Sequence, residues 1–267
     1  VQMIGAIIGD IVGSRFEFNN HRSKDFELFS DKCFFTDDTI MSLAVCHALM
    51  HSSSDRSDLP AVCVSSMQTI GRPYPHCGYG GRFHGWIYSD HPEPYNSFGN
   101  GSAMRVGGCG WVGNSIDEVR QLSHAVTAVT HNHPEGLKGA EATAVAIYLA
   151  RTGSDIQQIR SYITEHYYKI DFTIDGIRDT YMFNETCQDT VPQALQAFFE
   201  SRDFEDALRI AISTGGDSDT LAAITCSVAE AYYGVPQSIR KSAESYLDKP
   251  MMKLLRDFES KWPGKEA

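Results

Sequence analysis

Two short acidic segments carry the residue types most able to do chemistry: Phe35-Thr36-Asp37-Asp38-Thr39 and Gly215-Gly216-Asp217-Ser218-Asp219-Thr220. Each leads into a run, residues 40–50 and 221–232, with apolar side chains at three- and four-residue spacing, the signature of a helix. A carboxylate at a helix start is stabilised by the exposed backbone N–H groups and the positive end of the dipole, so one such residue needs no function. Four are harder to excuse. If the fold brings the two starts together, Asp37, Asp38, Asp217 and Asp219 repel one another, and without a cation some must take up protons. Carboxylate and hydroxyl oxygens are hard ligands, suited to Mg²⁺, Mn²⁺ or Ca²⁺ rather than zinc or copper. Two readings stand at this point: the segments are halves of one metal site, or they are helix caps in unrelated places.

The elements that must position these residues read as helices. Beyond the two runs above, helical patterns cover residues 115–130, 135–151, 155–167, 191–200, 204–212 and 237–262. Ser115 and Asp117, Asp155 and Pro192 mark three of the starts. Residues 4–13 suit either a buried strand or a helix whose Gly5, Gly9 and Gly13 permit close contact with a neighbour. Strand alternation is otherwise hard to find. The expected fold is all-α, a compact orthogonal helical bundle in one domain, residues 1–267, with the acidic segments at the ends of central helices. Residues 51–60 read as a surface loop. Residues 71–110, rich in Gly, Pro and aromatics with no helical period, read as a binding loop packed over the site.

In a chain of 267 residues a formal net charge of −11 argues against a phosphate-backbone binder, since such proteins usually present a basic face, so nucleic acid is an unexpected partner. No apolar run is long enough to span a membrane and no secretory pattern opens the chain, so the expected location is cytoplasmic. Seven cysteines without a C-x-x-C pair read as reduced core thiols. The placing of His76, Cys77 and His84 fits no usual zinc spacing.

Five motifs, in order along nearly the whole chain, resemble those of the ADP-ribosylglycohydrolases. They are Gly9-Asp10-Ile11-Val12-Gly13-Ser14 with Glu17 after it; Phe35 to Thr39; Ser97-Phe98-Gly99-Asn100-Gly101-Ser102-Ala103-Met104-Arg105; Thr130-His131; and Gly215 to Thr220. That family includes the dinitrogenase-reductase-activating glycohydrolase and the ADP-ribosyl-arginine and ADP-ribosyl-serine hydrolases. The resemblance implies an all-helical fold with a binuclear Mg²⁺ or Mn²⁺ centre. It implies Thr36, Asp37, Asp38, Asp217, Asp219 and Thr220 as ligands, with Asp219 bridging both ions. It places Ser97, Phe98, Gly99, Asn100, Gly101, Ser102, Met104 and His131 against ADP-ribose, and Glu17 and Asp38 in catalysis, Glu17 as an acid/base or metal-gating carboxylate. The glycines of the 97–104 loop have a physical use here, because bare backbone N–H groups approach a diphosphate closely. Arg105 reads as a phosphate clamp or as a structural tie, His133 as structural, Trp86 as core, and residues 79–86 as a lining for adenine.

The implied reaction is hydrolysis of the bond between ADP-ribose and a protein side chain, with ADP-ribosylated proteins as substrates and ADP-ribose as product. The linkage is O-glycosidic as in the serine-type members or N-glycosidic as in the arginine-type members. The alternative is a catalytically inactive ADP-ribose-binding or structural protein of the same fold. A magnesium phosphohydrolase reading of residues 217–220 is set aside, because Ser213-Thr214-Gly215-Gly216 leads into a helix instead of ending an apolar strand.

Overall fold

The computed structural model describes residues 3–263, so the outermost positions of the expected 1–267 domain lie outside the described residues. In chain order the helices are α1 Ile4–Gly13, α2 Asp37–His51, α3 Leu59–Gly71, α4 Gly81–Tyr88, α5 Gly101–Met104, α6 Gly107–Val112, α7 Ile116–Thr127 and α8 Pro134–Arg151. They continue with α9 Ile156–His166, α10 Ile174–Ile177, α11 Val191–Phe199, α12 Phe204–Thr214, α13 Ser218–Tyr233, α14 Gln237–Glu244 and α15 Lys249–Lys261. The fold is all-α; the described residues form no sheet, only an isolated bridge between Gly99 and Thr186.

Helix α13 runs through the middle, buried from Ser218 to Ala231, with α1, α8, α11 and α12 packed around it. An apolar helix with no polar face reaches this position because any surface placement would leave one side wet. Helix α1 settles the ambiguity of residues 4–13 in favour of helix. A Cβ at Gly5, Gly9 or Gly13 would come 2.4, 2.3 or 2.5 Å from the α13 backbone at Cys226, Ala222 and Asp219. The three glycines therefore let α1 lie directly on α13. The N-terminus of α1 is closed by Glu230 of α13, whose buried carboxylate accepts from Met3 N–H at 2.6 Å and Gly5 N–H at 3.0 Å.

Local start signals act as the sequence suggests. Ser115 caps α7, Asp155 and Gln158 form a capping box on α9, and Pro192 occupies the first turn of α11. The 237–262 run does not remain one helix. It divides into α14 and α15, where Asp248 caps a new start and Pro250 occupies its first turn. The 71–110 segment is also more helical than expected, since α4, α5 and α6 fall within it. Their glycines hide any apolar period, and packing decides the conformation. Helix α3 was not marked by the sequence pattern, and the described loop between α2 and α3 matches the expected surface loop. All seven cysteines are free, and only Cys77 is less than buried.

Candidate active site

The two acidic segments meet. Thr36 caps α2, its hydroxyl accepting from Asp38 N–H at 3.2 Å, and Asp217 stands at the start of α13 without capping it. Asp217 instead accepts from Asn100 Nδ2 at 2.8 Å, and the Thr220 hydroxyl donates to Asp38 Oδ2 at 2.9 Å, tying the two helix starts together. Single oxygens of Asp10, Asp38 and Asp219 lie within 4.8 Å of one another, as do those of Glu17, Asp217 and Asp219. Asp219 belongs to both sets. Helix capping accounts for Thr36 but not for the aspartates of the second segment.

Asp10 is the member that sequence reasoning left out of the site, although it lies in a quoted motif. It sits in α1 with no exposed surface, and its two oxygens accept from Thr36 N–H at 2.8 Å, the Thr36 hydroxyl at 2.6 Å, Thr39 N–H at 3.1 Å and the Thr39 hydroxyl at 2.6 Å. One carboxylate thus docks α1 against the first turn of α2 and orients the Thr36 oxygen, 3.5 Å from Asp219 Oδ2. A polar residue inside an otherwise apolar helix was the available signal.

The loop presenting Asp217 is held from below. Gly215 and Gly216 have φ of 78° and 73°, a region open to glycine at little cost. Asn20 closes both backbone groups of Gly216, donating to its carbonyl and accepting from its N–H, each at 2.8 Å. Arg22 donates to the carbonyls of Arg178, Thr214 at 3.0 Å and Tyr181 at 2.7 Å. Neither Asn20 nor Arg22 was singled out from the sequence, because their partners lie more than 150 residues away.

Burial is the main cause that raises every carboxylate of the cluster. Asp37, Asp38 and Asp219 are pushed well above the usual range and Asp217 upward, Asp10 to about 6 and Glu17 to about 7. For Glu17 the charges of Asp217, Asp10 and Glu185 add to the effect. No ion pair among the described residues includes any of these groups. Such a concentration of like charge, built from hard oxygen donors, fits divalent cations such as Mg²⁺ or Mn²⁺.

The cluster opens into a cavity of about 300 Å³ lined by Glu17, Asp37, Asp38, Asp217, Asp219 and Thr220. From the glycine-rich segment it takes Ser97, Gly99, Asn100, Gly101, Met104 and Arg105, together with His131. Phe98 and Ser102 do not line it. Phe98 turns outward against His133, and the buried Ser102 hydroxyl donates to Gly136 O at 2.8 Å. Thr36 is buried behind the aspartates. Gly78, Gly80, Gly81, Arg82, Phe83, Tyr95 and Glu185 complete the wall; all but Glu185 fall in the 71–110 segment expected to pack over the site. Trp86 stacks on Phe83 in the core, and His133 caps α8. A larger, open hollow of about 650 Å³ near Arg160 and Phe172 holds one carboxylate, Asp171, and none of this machinery.

Arg105 brings a buried positive charge to the cavity. Its guanidinium lies over the Phe83 ring and donates through Nη2 to the Thr130 hydroxyl at 2.6 Å, while Nε has no partner. The same Thr130 hydroxyl is hydrogen-bonded to His131 Nδ1 at 2.7 Å. The other ring nitrogen of His131, Nε2, faces Gly99 and Gly101. Burial and the nearby arginines lower its pKa well below the ordinary value, so the ring stays neutral at the cavity wall.

An all-helical scaffold carrying a carboxylate cluster beside a glycine-rich cavity has close structural counterparts. A chain of the solved ADP-ribosylglycohydrolase-related protein complex superposes with a TM-score of 0.69 over 95% of both chains at 22% identity, which establishes the fold. The ADP-ribosylglycohydrolase profile matches residues 2–264, and the chain belongs to that family of glycohydrolases. Among curated proteins it is 23% identical to the ADP-ribosylhydrolase ARH3 of Bos taurus, over 91% of this chain and 88% of that one. It is 26% identical to the ADP-ribosylarginine hydrolase Tri1 of Pseudomonas putida (strain GB-1), over 91% of this chain and 73% of that one. No described helix is long and apolar enough to cross a membrane.

Proposed function

We propose that this protein hydrolyses the glycosidic bond joining ADP-ribose to a modified protein side chain, with Thr36, Asp37, Asp38, Asp217, Asp219 and Thr220 holding two hard divalent cations, Mg²⁺ or Mn²⁺. The observation that supports it most is the convergence of Asp10, Glu17, Asp38, Asp217 and Asp219, from three stretches of chain, beside one cavity. Cations bound there would orient the ribose hydroxyls and lower the pKa of a bound water.

The chain's own groups supply the rest. Glycosidic cleavage passes through an oxocarbenium-like state that needs negative charge nearby and a proton for the departing atom. The aspartates provide the charge. Glu17, half-buried beside Asp217 and Asp219, is placed to hold that proton on its carboxyl. Asp38 has one oxygen engaged by Thr220, leaving Oδ1 to work at the reacting centre. The remaining lining takes the nucleotide part, with Arg105 and His131 Nε2 available to its anionic and hydroxyl oxygens beside Gly99 and Gly101.

An alkoxide departs poorly unless protonated, and the placing of Glu17 answers that need, so we favour the serine-type O-linkage. The arginine-type N-linkage is the second reading, supported by the likeness to Tri1. The test is release of free ADP-ribose from serine-modified and arginine-modified substrates with Mg²⁺, with Mn²⁺ and with a chelator. Metal-dependent release from the serine-modified substrate is expected. Release from neither, with ADP-ribose still bound, would replace the hydrolase by a binding protein.

A further inference from the structure

Among the described residues, three of the six exposed large apolar side chains, Phe18, Met182 and Phe183, come from two segments that each contribute a residue to the cavity wall. Phe18 directly follows Glu17, and Phe183 lies two residues before Glu185; both glutamates line the cavity. Phe18 is 84% exposed, yet its ring stacks on Phe183 with centroids 5.7 Å apart. This pair is set in a braced frame. Arg22 and Asn20, on the segment carrying Phe18, bind the Tyr181 carbonyl and Gly216, so the two halves of the pair are tied to each other and to the loop presenting Asp217. A fixed apolar patch beside a charged cleft marks a recognition surface.

We propose that Phe18, Met182 and Phe183 form a lip that docks the acceptor polypeptide, and that it selects modified residues flanked by an apolar side chain. The proposal rests on the hydrolase reading above, in which the ribose sits at the aspartates and the acceptor emerges past Glu17. That path leads onto the lip. The occupant is the substrate's own chain because the patch is continuous with the wall that Glu17 and Glu185 provide. The Glu185 carboxylate in the adjoining wall makes an acidic flank on the substrate unfavourable.

The experiment compares two peptides carrying ADP-ribose through a non-hydrolysable link, one with leucine on both sides of the modified residue and one with glycine. Binding is measured for wild type and for the double variant Phe18→Ser/Phe183→Ser, with free ADP-ribose as the reference. Wild type is expected to hold the leucine peptide about tenfold more tightly, the scale of one partly buried apolar side chain. The double variant should erase that preference and bind free ADP-ribose as wild type does. Equal wild-type affinities for the two peptides, or a preference that survives in the variant, would overturn the lip. Failure of wild type to bind free ADP-ribose would overturn the underlying reading and the lip with it. A flank preference without release from hydrolysable peptides would overturn the hydrolase alone.

Discussion

Gly9→Ala is the substitution in which packing and chemistry are most directly linked. The new methyl would stand 2.3 Å from the carbonyl carbon and oxygen of Ala222, which are α13 backbone and cannot rotate away. Restoring van der Waals contact requires α1 and α13 to part by about 1 Å. Overpacking of this kind costs about 3 kcal/mol at the upper end of its usual range, against about 1 kcal/mol gained from alanine's better helix propensity. The net expectation is a loss of about 2 kcal/mol. Asp219 lies one turn before Ala222, and Asp10 follows Gly9, so the same displacement separates the carboxylates and should lower turnover about a hundredfold. Gly85→Ala is the internal control, since its Cβ would meet nothing within 4 Å on α4. There only propensity acts, and a gain of up to about 1 kcal/mol is expected. Urea unfolding of both variants, with ADP-ribose release measured alongside, decides the matter. A Gly9→Ala protein as stable as wild type would refute the close α1–α13 contact and the reasoning from it.

Other substitutions probe separate parts of the site. Asp217→Ala or Asp219→Ala should reduce metal-dependent release of ADP-ribose to background while far-ultraviolet circular dichroism stays near wild type; retained turnover would dispose of the carboxylate centre. Glu17→Gln should lower kcat much more than ADP-ribose affinity, and matched losses in kinetics and calorimetry would point to a binding role. Burial pushes the Glu230 carboxyl up to about 8 from 4.5. Because the folded protein keeps that proton where the unfolded chain has lost it, this contribution to stability is present below about pH 4.5 and fades towards pH 8, by about 1.4 kcal/mol per pH unit. Glu230→Gln should remove that slope, so its stability relative to wild type rises between pH 5.5 and 7.5 in urea titrations. A difference that does not change with pH would show that the group titrates normally.

The acidic segments were legible because carboxylates and hydroxyls at the start of apolar helices are conspicuous, and the four-residue recurrence of Gly5, Gly9 and Gly13 allowed a close helix contact while leaving a buried strand open. What stayed hidden depends on distant partners. Asp10 reads as an isolated polar residue until Thr36 and Thr39 are seen donating to it. Asn20 and Arg22 look like loop residues until the fold brings Gly216 and Tyr181 beside them. Helices α4 to α6 are short and glycine-rich, so packing rather than periodicity forms them. Phe98, placed against the ligand by the family resemblance, is absent from the cavity lining and packs on His133, a contact that its position beside Gly99 does not reveal. The break before α15 was written in Asp248 and Pro250, whose start signal the longer apolar pattern obscured.

The most direct test of the central claim, that the two acidic segments form one cation-holding centre, is anomalous diffraction from crystals of the protein soaked in Mn²⁺. Two peaks are expected within the oxygen cluster of Asp37, Asp38, Asp217 and Asp219. A map with no peak there, from crystals that bind ADP-ribose, would contradict it.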